Sequence, residues 1–350
     1  MSILINNPGL FTTVQDQGRY GFQDQGFSTA GALDLISYQL GQKLIGNDGP
    51  AIEFTVIGPT IRFTTPNTFV VTGGEFGSEL NGEPIEMQSV YKAEKGDELK
   101  LGAAKQGARG YIFFGCPLDI PVVANSQSTH TRSHIGGYEG RTLKAQDRIQ
   151  TIPNDEAKYR VGLSTDVQLV DTDETTIRIV KGPQFDRFSS DAVNAMSSGE
   201  YQISEQSDRM GYRLRGSEIP PEESADIISE PVALGSVQVP NDGNPIILLN
   251  DKQTVGGYTK IATVTQADLS ILAQKQPGET IRFEWVTVEE AIESLQQLDE
   301  ALQEALQEIE RTPVYQIQQL RSTSKRLNAL LKGEASVSYT HLTLPTKRIV

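Results

Sequence analysis

The chain has 350 residues with 31 basic and 45 acidic side chains, a net charge of −14, and 37% hydrophobic but only 7% aromatic content. At roughly 100 to 200 residues per domain, this length predicts two domains, each able to bury a core without disulfides or metals. The single cysteine, Cys116, excludes an internal disulfide, and the surplus of negative charge makes nucleic acid and anionic membranes poor partners.

No apolar run approaches the roughly 20 residues of a bilayer span. The start, MSILINNPGL, lacks a basic, then apolar, secretion pattern. With one cysteine, the cytoplasm is the default location. In chain order, ALDLISYQLGQKLIGN at 32–47 places Leu33, Ile36, Leu40 and Leu44 at helical spacing. The rest of residues 1 to about 288 reads as mainly β, with short Val-, Ile-, Thr- and Phe-rich segments punctuated by Gly and Pro. KGDELKLG at 95–102, AQDRIQTI at 145–152 and PGETIRFE at 277–284 each set a polar turn before apolar residues two apart, the pattern of a hairpin strand entering a sheet. IGPTIRF at 57–63 and KGPQFDRF at 181–188 echo each other as if a β-domain had been duplicated.

The polar stretch at 153–176 is the expected boundary, which divides the chain into domains at 1–165 and 166–288 with a cleft between them. From Val288 an amphipathic helix begins, with eight acidic residues against one basic between 289 and 311. Pro313 interrupts it and the pattern resumes, so a helical extension is expected over 289–333. The extension suits either self-association through a coiled-coil contact or an arm folded back on its own domain. Residues 334–350 match neither pattern and read as a non-native or disordered tail outside the fold.

The chain lacks a GxxxxGK[ST] phosphate loop, HExxH, CxxC, GxSxG and a Met-Lys-Met biotin-attachment site. His130 and His134 are four apart, but Ser, Thr and Gly-Gly neighbours argue for a loop, so no metal site is expected. Three glycine-bearing segments are the better candidates. In TTVQDQGRYGFQDQGFSTAGALD at 12–34, Gln15, Asp16 and Arg19 surround Gly18; Arg19 can offer a planar fork of donors to a carboxylate or phosphate, or simply pair with Asp16. In SDRMGYRL at 207–214, Arg209 and Arg213 flank Gly211 and could form a local anion site or pair on the surface. In GSVQVPNDGNPIILLNDKQTVGGYTKIATV at 235–264, Asn241, Asp242 and Gly243 signal a hairpin turn. Gln238 precedes that turn, and Asp251, Gln253, Thr254, Gly256, Gly257, Tyr258 and Lys260 cluster at the following strand ends, where backbone N–H groups and a lysine can hold an anion.

These segments, with STAGALD, IGND followed by AIEFTVIGP, and STHTRSHIGGYEGRTLKAQDRI, stand in the order of a known family. The chain resembles the biotin-dependent carboxyltransferase-like family over about residues 1 to 290. That family includes the C subunit of 5-oxoprolinase, the antagonist of the Kip sporulation inhibitor, and the second carboxyltransferase subdomain of urea carboxylase, also labelled allophanate hydrolase subunit 2. The resemblance implies two cyclophilin-like β-barrel domains and a subunit that works with a B-like (KipI-like) and an A-like protein. Together they open 5-oxo-L-proline to L-glutamate with ATP shared among the subunits, and no biotin is attached to this chain.

On that reading Arg19 and Arg209 meet anionic groups, and Gln253 and Thr254 orient the substrate. Lys260 with Gly256 and Gly257 meets developing phosphate charge, and Asp242 or Asp251 acts as base. Two alternatives belong to other classes: a regulatory protein that sequesters a sensor-kinase inhibitor, and a carboxyltransferase component of a biotin-dependent urea or amide carboxylase. Ala30 and Leu33 stand where the family commonly has serine and methionine, and Gln127 where arginine is common.

Overall fold

The computed structural model describes residues 1–316. The first sheet is built from β1 (Ser2–Asn7), β2 (Thr13–Gln15), β3 (Ala51–Thr55), β4 (Thr60–Phe63), β5 (Asn67–Leu80), β6 (Glu83–Pro84), β7 (Tyr91–Ala93), β8 (Glu98–Phe114) and β9 (Arg148–Gln150). Its strand order is β2-β3-β8-β4-β1-β9, with β5 also on β8 and carrying β6 and β7, which makes a curved, open half-barrel. The long β5–β8 pair runs from Phe69 opposite Phe114 to Leu80 opposite Leu99, with bulges between Gly73 and Ser78 that bend it. Ile3, Ile5, Phe54, Ile61, Phe63, Phe69, Leu99 and Ile112 fill its concave side.

The helix expected at 32–47 is α1 (Leu35–Ile45), capped by Asp34, whose carboxylate accepts the Ser37 N–H, and closed by Gly46 in the left-handed region. Tyr38, Leu40 and Leu44 pack on Val70, Tyr111 and Phe113 across the sheet. The short pair partner β10 (Leu163–Ser164) follows.

The second domain contains β11 (Thr176–Lys181), α2 (Ser190–Ser198), β12 (Tyr201–Ile203), β13 (Gly211–Arg215), β14 (Asp226–Pro231), β15 (Ser236–Val239), β16 (Ile246–Leu248), β17 (Val255–Val264), α3 (Leu269–Ala273) and β18 (Thr280–Trp285). Seven strands in the order β11-β18-β12-β13-β16-β15-β17 close into a barrel because β17 also pairs with β11, and β14 extends the wall from β17. Alternation decides what faces in. Tyr212 and Leu214 of β13 are buried while Arg213 and Arg215 between and beyond them are exposed. Ile177, Val237, Val239, Ile247, Ile261 and Phe283 complete the interior.

The turn-then-strand patterns at 95–102, 145–152 and 277–284 become the starts of β8, β9 and β18. The echo between 57–63 and 181–188 does not survive: Thr60–Phe63 is strand β4, whereas Phe185–Arg187 is a single 3-10 turn. The Phe185 N–H bonds to the Gly182 carbonyl and Gly182 lies flat against β17, so the chain curls where its counterpart extends.

The C-terminal helix is α4 (Val288–Arg311), opened by a Thr287–Glu290 capping box. Leu302 and Ile309 join the cluster of α1 residues, and Lys43 bridges to Glu310 at 2.6 Å. Beyond Pro313 the pattern-based helix gives way to strand β19 (Val314–Tyr315), which pairs with β10. The arm is therefore folded back within the chain, but onto α1 and β10 of the first domain rather than onto the second domain it extends. Leu298, Leu302, Leu306 and Ile309 of its apolar stripe are covered within the chain, whereas Ile292 nearer its start is 51% exposed. The remaining expected helix at 317–333 and the tail at 334–350 lie outside the described residues. No helix among the described residues is long and apolar enough to cross a membrane.

Side chains cross between the domains at several points. Leu33 enters the second domain's core. The Asn250 side-chain amide donates to the Ala30 and Ala32 carbonyls. The Gln274 carbonyl oxygen accepts the Ala108 and Arg109 N–H groups, and its amide donates to Asp34 at 2.7 Å.

Candidate functional site

A cavity of about 290 Å³ opens on the outer wall of the closed barrel. Its floor is the outward face of β13 and β16, with Gly211, Arg213, Ile246 and Leu248. Gln238 of β15 and Val255, Gly256 and Tyr258 of β17 form one side. The loop after β16 brings Lys252 and Gln253, the loop before β13 brings Gln206, Asp208 and Met210, and Arg132 reaches in from the first domain. Val232, just beyond the end of β14, closes the edge.

The candidates expected from the sequence divide sharply. Arg213, Gln238, Gln253, Gly256 and Tyr258 meet at this cavity. Thr254 and Gly257 flank it without lining it; the Thr254 carbonyl accepts the Val232 N–H. Asp242 lies on the exposed turn between β15 and β16, where it accepts the Asn244 N–H. Lys260 is buried in an ion pair with Glu230 at 2.8 Å and also donates to the Tyr258 carbonyl. The bond to Lys260 holds the Glu230 carboxyl below the usual range.

The first segment is internal scaffolding. Arg19 is 1% exposed and donates to the Val123 and Ser128 carbonyls; burial lowers its pKa, against the pull of Asp16 and Asp251. Asp16 accepts the Gly18 and Gln127 N–H groups and the Ser126 and Ser128 hydroxyls, so it makes no ion pair with Arg19. Gln15 holds Thr129 and Gly31. Gly31 has φ +86, and a Cβ there would sit 2.7 Å from Gly18, so these two backbones meet only as glycines.

Arg209 is likewise internal. It donates to Glu53, to both Asp251 oxygens and to the Gly31 carbonyl, and all three charged side chains are sealed. Burial alone would lower the Arg209 pKa, but Asp251 and Glu53 outweigh it and raise it above the ordinary arginine value. Asp251 is thereby committed to Arg209 and is not a free base. Arg19, Arg209 and Gln253 thus do not share one pocket. His130 is nearly buried, its Nε2 against the Asp251 carbonyl, in a loop that is structural.

Sequence reasoning missed Arg132, Gln206, Asp208 and Lys252. Asp208 and Lys252 sat inside the segments singled out, and Arg132 sat between the two histidines, so proximity in the motif was the available signal. Asp208 is bonded to Arg132 at 3.2 Å and to the Met210 N–H, so its charge is occupied. Lys252 differs. The residue is 6% exposed, its ammonium has no hydrogen bond or ion pair among the described residues, yet it is not sealed away from the cavity. Burial lowers its pKa. Gln238 is 7% exposed, and its side-chain amide is equally without a hydrogen-bond partner among the described residues and faces the same space.

A second, larger cavity of about 670 Å³ lies between α1, β5 and residues 167–173. Asp34 at its base accepts from Ser37 and Gln274, and burial raises its pKa. None of the expected site residues line it.

With the geometry in place, comparison with known proteins decides the family. The profile of the carboxyltransferase domain, subdomain A and B, matches residues 25–285. The chain belongs to this family. The 5-oxoprolinase C subunit of Haemophilus influenzae is 37% identical over 281 residues, covering 80% of this chain and 89% of that protein. Its counterpart in Escherichia coli K12 is 36% identical over 290 residues, covering 82% and 92%. The crystal structure of the K. lactis urea amidolyase superposes with a TM-score of 0.78 at 26% identity, covering 86% of this chain and 20% of that one. The chain thus spans about a fifth of the urea amidolyase. The matched stretch takes in the closed barrel and all of the half-barrel except β1 and β2.

Proposed function

We propose that this protein is the C subunit of an ATP-dependent 5-oxoprolinase, which opens 5-oxo-L-proline to L-glutamate together with B-like and A-like companions. The observation that carries the reading is the 36–37% identity to proteins named as the C subunit of 5-oxoprolinase, over nearly their whole length. The cavity on the barrel wall supports it: three cations, Arg132, Arg213 and Lys252, face one carboxylate, Asp208, in a chain whose net charge is −14.

The chemistry asks for a polar, cationic site. A lactam is a stabilised amide, and activating its carbonyl oxygen by phosphorylation turns a poor electrophile into one that water attacks. Cations and amides placed where negative charge develops lower that barrier. A volume of about 290 Å³ is at the small end for ligand pockets and suits the lactam rather than a nucleotide, so we assign ATP chiefly to the companion subunits. Asp251 and Arg209 retain only a structural role in this scheme, and Lys260 is engaged by Glu230.

A second reading, a carboxyltransferase component acting on an amide, draws on the superposition with urea amidolyase. The two separate in one experiment. The purified chain is combined with its B-like and A-like companions, and ATP hydrolysis dependent on 5-oxo-L-proline is measured. Activity that needs all the subunits is the expected result. A stable complex with no such activity overturns the proposal and favours the regulatory antagonist, and transfer of labelled carboxyl groups from a biotin carrier favours the second reading.

A further inference from the structure

We propose that Lys252 is the anchor for the carboxylate of a small acid bound in the barrel-wall cavity, with Gln238 reading an amide or carbonyl group next to it. No sequence motif or relative's name assigns either role. The argument starts from burial. A lysine side chain is strongly hydrated, and removing it from water without a counter-charge is unfavourable, so folded proteins rarely leave a buried ammonium unpaired. Lys252 is 6% exposed and has no partner among the described residues, while the one carboxylate in the cavity lining, Asp208, is taken by Arg132 and backbone N–H groups. The missing counter-charge is therefore to be supplied by a ligand.

Gln238 makes the same case for a neutral polar group. The residue is 7% exposed and its side chain is without a hydrogen bond among the described residues, although a primary amide can both donate and accept. Gly256 lies directly against it, since a Cβ there would approach the Gln238 amide nitrogen to 2.5 Å; the glycine keeps that amide in place and the cavity open. A point cation beside a donor–acceptor amide matches an acid that carries a carboxylate next to an amide bond. The identity of that acid as 5-oxo-L-proline rests on the function proposed above, whereas the anchor does not.

The test measures binding of 5-oxo-L-proline by calorimetry, to the full chain and to its complex with the companion subunits. Lys252→Met, Lys252→Arg, the neutral analogue 5-oxo-L-prolinamide and inorganic phosphate serve as comparisons. The loss of one charge-assisted hydrogen bond predicts binding weakened about tenfold or more by Lys252→Met and partly recovered in Lys252→Arg, with the amide analogue bound as weakly as by the Met variant. Circular dichroism confirms that the variants are folded. Unchanged binding by Lys252→Met, equal binding of acid and amide, preferential binding of phosphate, or no binding to chain or complex each overturns the anchor. Lysine-dependent binding of the acid without any ATP hydrolysis keeps the anchor and overturns the 5-oxoprolinase reading. ATP hydrolysis indifferent to Lys252→Met does the reverse.

Discussion

Lys252 is held in the folded protein at the expense of stability, and this gives it a signature that a structural lysine lacks. Burial penalises its charged ammonium only in the folded chain, so its folded pKa lies below the usual lysine value of about 10.4. Between the two values the unfolded chain binds more protons, so wild-type stability rises with pH across that window. Lys252→Met keeps the volume and removes the penalty. The variant is expected to melt higher than wild type at neutral pH, with the gap closing as pH climbs through the depressed pKa toward about 10.4. Thermal melts of both proteins over that range check this, and a lower melting point for the variant at neutral pH would show that the ammonium is supporting the fold. The same residue explains what a sequence can and cannot reveal at this scale. Glycine-flanked arginines look alike whether their donors meet a ligand or, as with Arg19, two backbone carbonyls. Burial and partnership decide, and neither is written in the spacing.

Elements were far more legible, because periodicity is a local property. Leu33, Ile36, Leu40 and Leu44 at helical spacing marked α1, and polar turns before alternating residues marked β8, β9 and β18. What spacing could not supply was the partner of each face, and α1 shows why this matters. Gly41 sits mid-helix, where alanine is favoured by about 1 kcal/mol, so propensity alone predicts that Gly41→Ala stabilises. A Cβ there would lie 2.1 Å from the Phe113 ring, itself buried and packed on Tyr38. Overpacking of that kind costs about 1–3 kcal/mol, which exceeds the propensity gain or at least cancels it. Urea unfolding of Gly41→Ala is expected to show a net loss of stability; a gain would mean that α1 slides off the sheet at little cost. The C-terminal helix follows the same logic: its apolar stripe was plain in the sequence, but only packing on α1 distinguished a folded-back arm from a partner-seeking one.

At the scale of the molecule, the two domains are tied by contacts between residues far apart in sequence, and these were the least legible features. Nothing local links Arg209 to Glu53, 156 positions away, or Asn250 to Ala30, 220 positions away. Glu53 lies on β3 of the half-barrel and Asp251 follows β16 of the barrel, so Arg209 neutralises one carboxylate from each domain in a site sealed from water: the arginine is 2% exposed and its partners 1% and 3%. Replacing a buried pair wholesale with apolar residues can be neutral, but removing one partner leaves an uncompensated charge and costs about 3–5 kcal/mol. Arg209→Met leaves two such charges facing each other across the domain junction. It is expected to destabilise the whole chain by at least that amount, read by urea denaturation. Adding Glu53→Gln removes one of the stranded charges, and its amide can still accept from the Leu33 N–H that Glu53 now receives at 3.0 Å. The double variant should therefore be more stable than Arg209→Met alone, even though it carries one more substitution. If it is instead less stable by the sum of the two single changes, the three side chains act as independent packing groups and the junction is held by its other contacts.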